Sequence, residues 1–243
     1  VQGRAATYAF LHFATDMADP RRGALLQKVQ EIISQTGTRL VFFTLEWIAV
    51  PDEAAERLLA DPALANYVHH LQSARRYRAY VLTEPEEKIL VEKSVTARSS
   101  WDRLFDELTG AVRVRLDGDQ KGLDEALAAL HSPDPEERRN IAQAVTDALR
   151  ADVRTRRFVL NTVLADKAID DRLRKFPNWV SDRNLANEAS DEAVQSLITA
   201  VTARYEIPQR YYGLKKKLLG LEHFYDWDRY APYGASEPEV AWE

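Results

Sequence analysis

Five histidines, His12, His69, His70, His131 and His223, are the first residues to weigh for metal or acid–base chemistry. An H-E-x-x-H helix would set two imidazoles one turn apart on one face, with its own glutamate as general base on a zinc-bound water. No two histidines here have that spacing. His69 and His70 are neighbours, and adjacent helical side chains diverge by about 100°, so they cannot chelate one ion together. His131 falls in turn-rich sequence, and His223 lies in Leu221-Glu222-His223-Phe224-Tyr225, after a helix that ends at Gly220. Each reads as a surface or packing histidine rather than a catalytic one.

Carboxylates are paired at Glu86-Glu87, Asp170-Asp171 and Asp226-Trp227-Asp228. Glu86 and Glu87 occupy the opening turn of a helix, where negative charge complements the macrodipole. Asp170 and Asp171, with Arg172 and Arg174, make a dense charged cluster that reads as a solvated salt-bridge face. Asp226 and Asp228 flank a tryptophan in an aromatic loop with Tyr225, Tyr230 and Tyr233. Such loops line ligand clefts and also plug helix junctions. Lys215-Lys216-Lys217 sits at a helix C-terminus, a placement the dipole favours. A glycine-rich phosphate loop, a G-x-S-x-G elbow and a serine–lysine motif are all absent. From the residues alone, no catalytic, substrate-binding or metal-ligating residue is nominated.

The composition narrows the classes further. There are 33 basic and 38 acidic residues, a net charge of −5, spread along the 243 residues. This mixture supports solubility and provides no electrostatic footprint for nucleic acid or an anionic membrane. The chain has no cysteine, so disulfides, thiolate zinc sites, iron–sulfur clusters and cysteine nucleophiles are excluded. No run approaches the ~20 apolar residues of a membrane-spanning helix. No signal peptide is visible from Val1 to Phe10, and the expected compartment is the cytoplasm.

The elements that must position any site read as helices. Asp19-Pro20, Pro51-Asp52, Asp61-Pro62, Glu84-Pro85 and Asp134-Pro135 place proline at or near first helical positions, where its fixed φ and missing N–H cost nothing. From Pro20 to Val50 apolar residues recur at three- and four-residue steps. The stretch then turns apolar nearly all round at Phe42, Phe43, Leu45, Trp47 and Ile48, which predicts burial on several sides. Trp101, Leu104, Phe105 and Leu108 form one stripe; Val194, Leu197, Ile198, Val201 and Tyr205 form another; Ile141, Val145 and Leu149 step by four.

One segment differs. Val112-Arg113-Val114-Arg115-Leu116-Asp117-Gly118-Asp119 alternates and ends in Asp-Gly, which predicts a small hairpin near 112–122 before a helix at Leu123–Leu130. The fold class is therefore all-α with one β-hairpin. Turn chemistry is densest at Leu130-His131-Ser132-Pro133-Asp134-Pro135, which divides the chain at 1–130 and 131–243. The chain opens without an initiator methionine and closes on Ser236-Glu237-Pro238-Glu239-Val240-Ala241-Trp242-Glu243, a helix-start signature, and is expected to be an internal piece of a longer polypeptide.

The order of several segments resembles the oligoendopeptidase F family. Asp61-Pro62-Ala63-Leu64-Ala65, Thr83 into Glu86-Glu87-Lys88-Ile89-Leu90, and Arg98-Ser99-Ser100-Trp101 with Leu104-Phe105-Asp106-Glu107-Leu108 carry the first part. Ser132-Pro133-Asp134 before Arg138-Arg139, Ile169-Asp170-Asp171-Arg172-Leu173-Arg174, Ala186-Asn187-Glu188 and Val201-Thr202-Ala203-Arg204-Tyr205 continue it. Tyr211-Tyr212-Gly213-Leu214-Lys215 and Asp226 to Pro232 complete it.

The resemblance implies a zinc metallo-endopeptidase that hydrolyses short oligopeptides in the cytoplasm, with a channel between two mostly helical lobes. It implies that 1–130 is the N-terminal domain and 131–243 the start of the peptidase domain. The family's H-E-x-x-H has no counterpart in this sequence, so no catalytic or metal residue is carried over. The expectation is one wall of the substrate channel, with Arg156 to Tyr230 facing it. Zinc is expected in the full-length enzyme and not on this chain, which is expected to be inactive without the missing C-terminal catalytic portion. The rival reading is a non-enzymatic helical scaffold or adaptor that binds partner helices through apolar grooves.

Overall fold

The computed structural model describes residues 2–233. In chain order the elements are α1 (Gln2–Ala14), α2 (Pro20–Ala49), α3 (Asp52–Leu59), α4 (Val68–Arg75), α5 (Glu84–Ser94), α6 (Arg98–Gly110), β1 (Arg113–Leu116), β2 (Asp119–Gly122), α7 (Leu123–Ala128), α8 (Pro135–Ala151), α9 (Val153–Arg174), α10 (Ser181–Ala186), α11 (Asp191–Thr202) and α12 (Glu206–Leu218). Short 3₁₀ turns occur at Pro62–Leu64, Ala129–His131 and Asp226–Asp228. The fold is all-α with one hairpin, as the residue pattern predicts. The helix-start signature at 236–243 lies outside the described residues.

Helix starts follow the Asx-Pro and Thr-Glu-Pro signals. The side chains of Asp19, Asp61 and Asp134 each accept the backbone N–H two residues on, at 2.9 Å, with proline between. Each satisfies one of the donors a helix start leaves without a partner. At α5 the Glu86 carboxylate reaches back to the Thr83 N–H at 2.9 Å, the reciprocal half of a capping box.

The chain divides into two compact units: Val1–Glu107 with Arg157–Gln195, and Leu108–Arg156 with Ser196–Glu243. In the first, α1 packs on α2 through Ala9, Phe13 and Leu26. Gly23 lies at this contact, where an added Cβ would come 3.0 Å from the Glu107 carboxylate. Further along α2, Ser34 donates to the Val91 carbonyl of α5 at 2.8 Å. The C-terminus of α2 is closed by arginines from beyond α3. Arg75 donates to the Trp47 and Val50 carbonyls at 2.8 and 2.6 Å, and Arg78 to the Ile48 carbonyl at 2.9 Å. These cations take up carbonyls that a helix end orphans, at the negative pole of its dipole. Asp52 accepts from both guanidinium groups, and Arg75 also lies over the Trp47 ring, 5.2 Å from its centroid.

In the second unit β1 and β2 pair antiparallel in the register Arg113↔Gly122 to Leu116↔Asp119. The turn residues Asp117 and Gly118 both have positive φ, 52° and 92°, which matches the twist of a two-residue hairpin. Period-two alternation sends Val114 inward and Arg115 outward. Val114, fully buried, joins Val112, Ala126, Ile141 and Val145 in one cluster that Leu116, Leu130 and Leu149 extend.

One sequence expectation about burial fails. Phe42 and Phe43 are exposed, Phe43 by 58%, although Ile48 in the same apolar stretch is buried. The stripe Leu197, Ile198, Val201 and Tyr205 is exposed as well. Hydrophobicity around a helix records a preference for an apolar neighbour; for these side chains, no described residue supplies enough of one.

Candidate functional site

The residues singled out for chemistry fall into separate clusters within each unit. In the second unit, Asp228 and Arg138 form an ion pair at 2.7 Å, with side chains only 3% and 1% exposed. The Arg138 Nε also donates to Asp228 at 3.1 Å, while its Nη1 donates to the Ser132 and Pro133 carbonyls at 2.8 and 2.9 Å. Asp228 accepts the Tyr225 N–H at 3.0 Å through its other oxygen. The fork geometry thereby satisfies both buried charges.

Around the pair the aromatic loop packs on itself. Tyr225 stacks on Trp227 at 4.6 Å, and Tyr230 stacks on His131 at 5.3 Å with Arg229 over its ring. Lys215, buried, donates to the Arg229 carbonyl at 2.7 Å. Burial, then the Arg138 charge, push its ammonium pKa below the ordinary lysine value against the pull of Asp228. Of the basic run, Lys215 therefore ties down the loop. The buried pair engages three backbone groups and Lys215 a fourth, so these charges are committed to packing the loop.

In the first unit Arg174 joins two acids that the sequence lists apart. Its guanidinium meets the Glu87 carboxylate at 2.6 and 3.0 Å and Asp170 at 3.1 Å. Glu87 also accepts the Leu82 N–H at 2.9 Å. Burial raises the Glu87 pKa, but Arg174 and the Leu82 amide outweigh it and hold the carboxyl below the usual glutamate range. Asp171 is bridged by Lys167 at 2.8 Å. Asp171 is buried, so the cluster read as a solvated face is half inside. Glu86 does the capping described above.

A third cluster centres on Glu188, a non-glycine residue at φ 56°. Its carboxylate accepts from Ser73 at 2.7 Å and lies 2.9 Å from the His69 Nε2 and 3.6 Å from Arg76. The Ser73 hydroxyl foremost, against burial, and the neighbouring His69 and Arg76 hold it below the ordinary glutamate value. His69 is thus turned to a carboxylate rather than toward a second imidazole.

Among the described residues no three of His, Asp and Glu converge where a metal ion could sit. Zinc prefers four compact N, O or S donors, and the described residues do not fit such a centre. Arg138 is the residue sequence reading missed most clearly, although a signal existed. It sits at i−3 and i−7 from Ile141 and Val145, a cation in line with an apolar stripe, and such a cation needs a buried carboxylate. Arg75 and Arg78 left no comparable mark.

The family model described as Oligopeptidase F matches residues 46–113, a stretch that holds Trp47, Asp52, Arg75 and Arg78 together. The crystal structure of oligoendopeptidase-F from Enterococcus faecium superposes with a TM-score of 0.85 at 20% identity, over 95% of this chain and 47% of that one. Its class is therefore a helical fold of the oligoendopeptidase kind. Oligopeptidase PepF of Bacillus subtilis is 23% identical over 238 residues, 95% of this chain and 35% of that protein. An oligoendopeptidase F homolog of Borreliella burgdorferi is 20% identical over 242 residues, 93% of this chain and 38% of its own length. The chain resembles the oligoendopeptidase F family in its sequence and in its fold, and spans less than half the length of the proteins it matches. No helix among the described residues is long and apolar enough to cross a membrane.

Proposed function

We propose that this chain is the helical N-terminal and channel-wall portion of an oligoendopeptidase F-type zinc metallo-endopeptidase that hydrolyses short oligopeptides in the cytoplasm. The observation that carries this reading is a fold likeness over 95% of the chain to a protein it covers only to 47%. On this reading residues 1–130 correspond to the family's N-terminal domain and 131–243 open its peptidase domain. The zinc and its general base belong to another part of the parent polypeptide. The contribution of this portion is steric: a wall that admits extended peptides and excludes folded ones. Its Arg156–Tyr230 stretch, rich in Arg, Asn, Tyr and Trp, faces the channel.

The test is an assay of a quenched oligopeptide with added zinc. The 243-residue chain alone is expected to show no turnover, and the longer parent to show turnover that a chelator abolishes. Metal-dependent hydrolysis by the chain alone would overturn the placement of the zinc site. A second reading, a non-enzymatic helical scaffold, draws on the exposed stripe Leu197, Ile198, Val201 and Tyr205. Coding sequence past Glu243 separates them. An immediate stop favours the scaffold, and an H-E-x-x-H-encoding extension favours the peptidase.

A further inference from the structure

We infer that a cleft within the first unit binds a small aliphatic zwitterion, an amino acid or dipeptide with both its ammonium and its carboxylate free. The cleft holds about 360 Å³, the small end of the range for ligand pockets. One wall comes from the C-terminal half of α5 and the opening of α6, the other from the last turns of α9 and the start of α10.

The walls differ in charge. Lys93 and Arg98 line the first, Asp166 and Asp182 the second. The other charged groups at the cleft are already engaged, Arg174 by Asp170 and Glu87, and Lys167 by Asp171. Lys93 and Asp166 have no hydrogen-bond or ion-pair partner for their side chains among the described residues. Arg98 has only Asp102, at 3.5 Å with both side chains about half exposed. Arg174–Glu87 ties α9 to α5, but among the described residues no ion pair joins Lys93 or Arg98 to Asp166 or Asp182. Leu90 on α5 and Ile169 and Leu173 on α9 add apolar lining to both walls.

This arrangement selects by exclusion. A lone anion meets the aspartates and a lone cation meets Lys93 and Arg98, so each gains one favourable contact and one repulsion. A neutral apolar molecule would strip water from four charges without replacing it. A zwitterion with an aliphatic side chain presents carboxylate, ammonium and apolar surface to the three parts that want them. The inference rests on the cleft alone and does not require the peptidase reading. Where both hold, the ligand class is that of the end products of peptide hydrolysis.

Calorimetric titration of the full folded chain with dileucine, with its N-acetyl and C-terminal amide forms, and with leucine tests it. Dileucine or leucine is expected to bind about tenfold tighter than a form blocked at either end, as expected for losing one charge-assisted contact. Whichever of the two binds tighter identifies the source, dipeptide or free amino acid. Lys93→Met should weaken discrimination against the amide and keep discrimination against the N-acetyl form; Asp166→Asn should do the reverse. Both side chains lack partners, so circular dichroism of the variants should match the parent. Equal binding of free and blocked forms, unchanged discrimination in the variants, or no binding of either free form would overturn the inference.

Discussion

The two compact units keep their cations in different surroundings. The second has a continuous apolar cluster, Val112, Val114, Ala126, Ile141 and Val145, and one ion pair withdrawn from water, Arg138–Asp228. The first scatters its buried apolar residues, with Ala9, Phe13 and Leu26 in one place and Ile48, Ala55 and Val159 elsewhere. It links its helices through Arg75, Arg78 and Arg174, whose carboxylate partners range from exposed Asp52 and half-exposed Asp170 to largely buried Glu87. The same guanidinium group thus does two jobs. Fully desolvated, it makes a contact that is costly to break; half-wet, it supplies smaller increments at several helix ends.

The sharpest way to break this contrast is to remove one member of the buried pair. Asp228→Ala should destabilise the second unit by about 3–5 kcal/mol, because Arg138 would be left charged and unpaired. Urea unfolding followed by circular dichroism measures it. The double variant Arg138→Met, Asp228→Leu should recover most of the loss, since an apolar pair needs no compensation. If the double variant is as unstable as the single one, packing rather than charge holds the loop.

A smaller effect is expected in the first unit. Arg174→Met should cost about 2 kcal/mol, the range for hydrogen bonds to charged groups that keep some solvent. The same contact gives a pH signature. The Glu87 pKa is depressed in the folded state, so the unfolded chain binds its proton more readily and stability rises with pH across the window between the two values. The stabilisation is complete above the ordinary glutamate pKa and is lost as pH falls through the depressed one. Glu87→Gln should flatten that part of the acid limb in urea midpoints measured from neutral pH downward. An unchanged acid limb would assign the acid sensitivity to another carboxylate.

The smallest effect belongs to the hairpin. Gly118→Ala should cost about 1 kcal/mol through its φ of +92° alone, since an added Cβ there meets nothing within 4 Å. A substantially larger loss would mean that the turn also makes contacts.

What the sequence makes legible is what is local. The Asp117-Gly118 turn, the alternation around Val114 and the Asx-Pro helix starts each depend on neighbours within four residues, and all appear where the spacing puts them. The site clusters depend on residues far apart in the chain. Arg138 meets Asp228 across 90 positions and Arg174 meets Glu87 across 87, and no periodicity encodes which acid a given arginine will find. Phe42 and Phe43 mark the converse limit. Their hydrophobicity states that a partner is wanted, not where it lies.

The arginine closure at the end of α2 has a consequence for tolerance to alkali. As a class, guanidinium groups hold their charge more firmly than an ammonium or an imidazolium would in the same place. Its carboxylate, Asp52, is held below the usual aspartate value by Arg78 and then Arg75. The junction between the long helix and α3 is consequently expected to be more sensitive to acid and salt than to base.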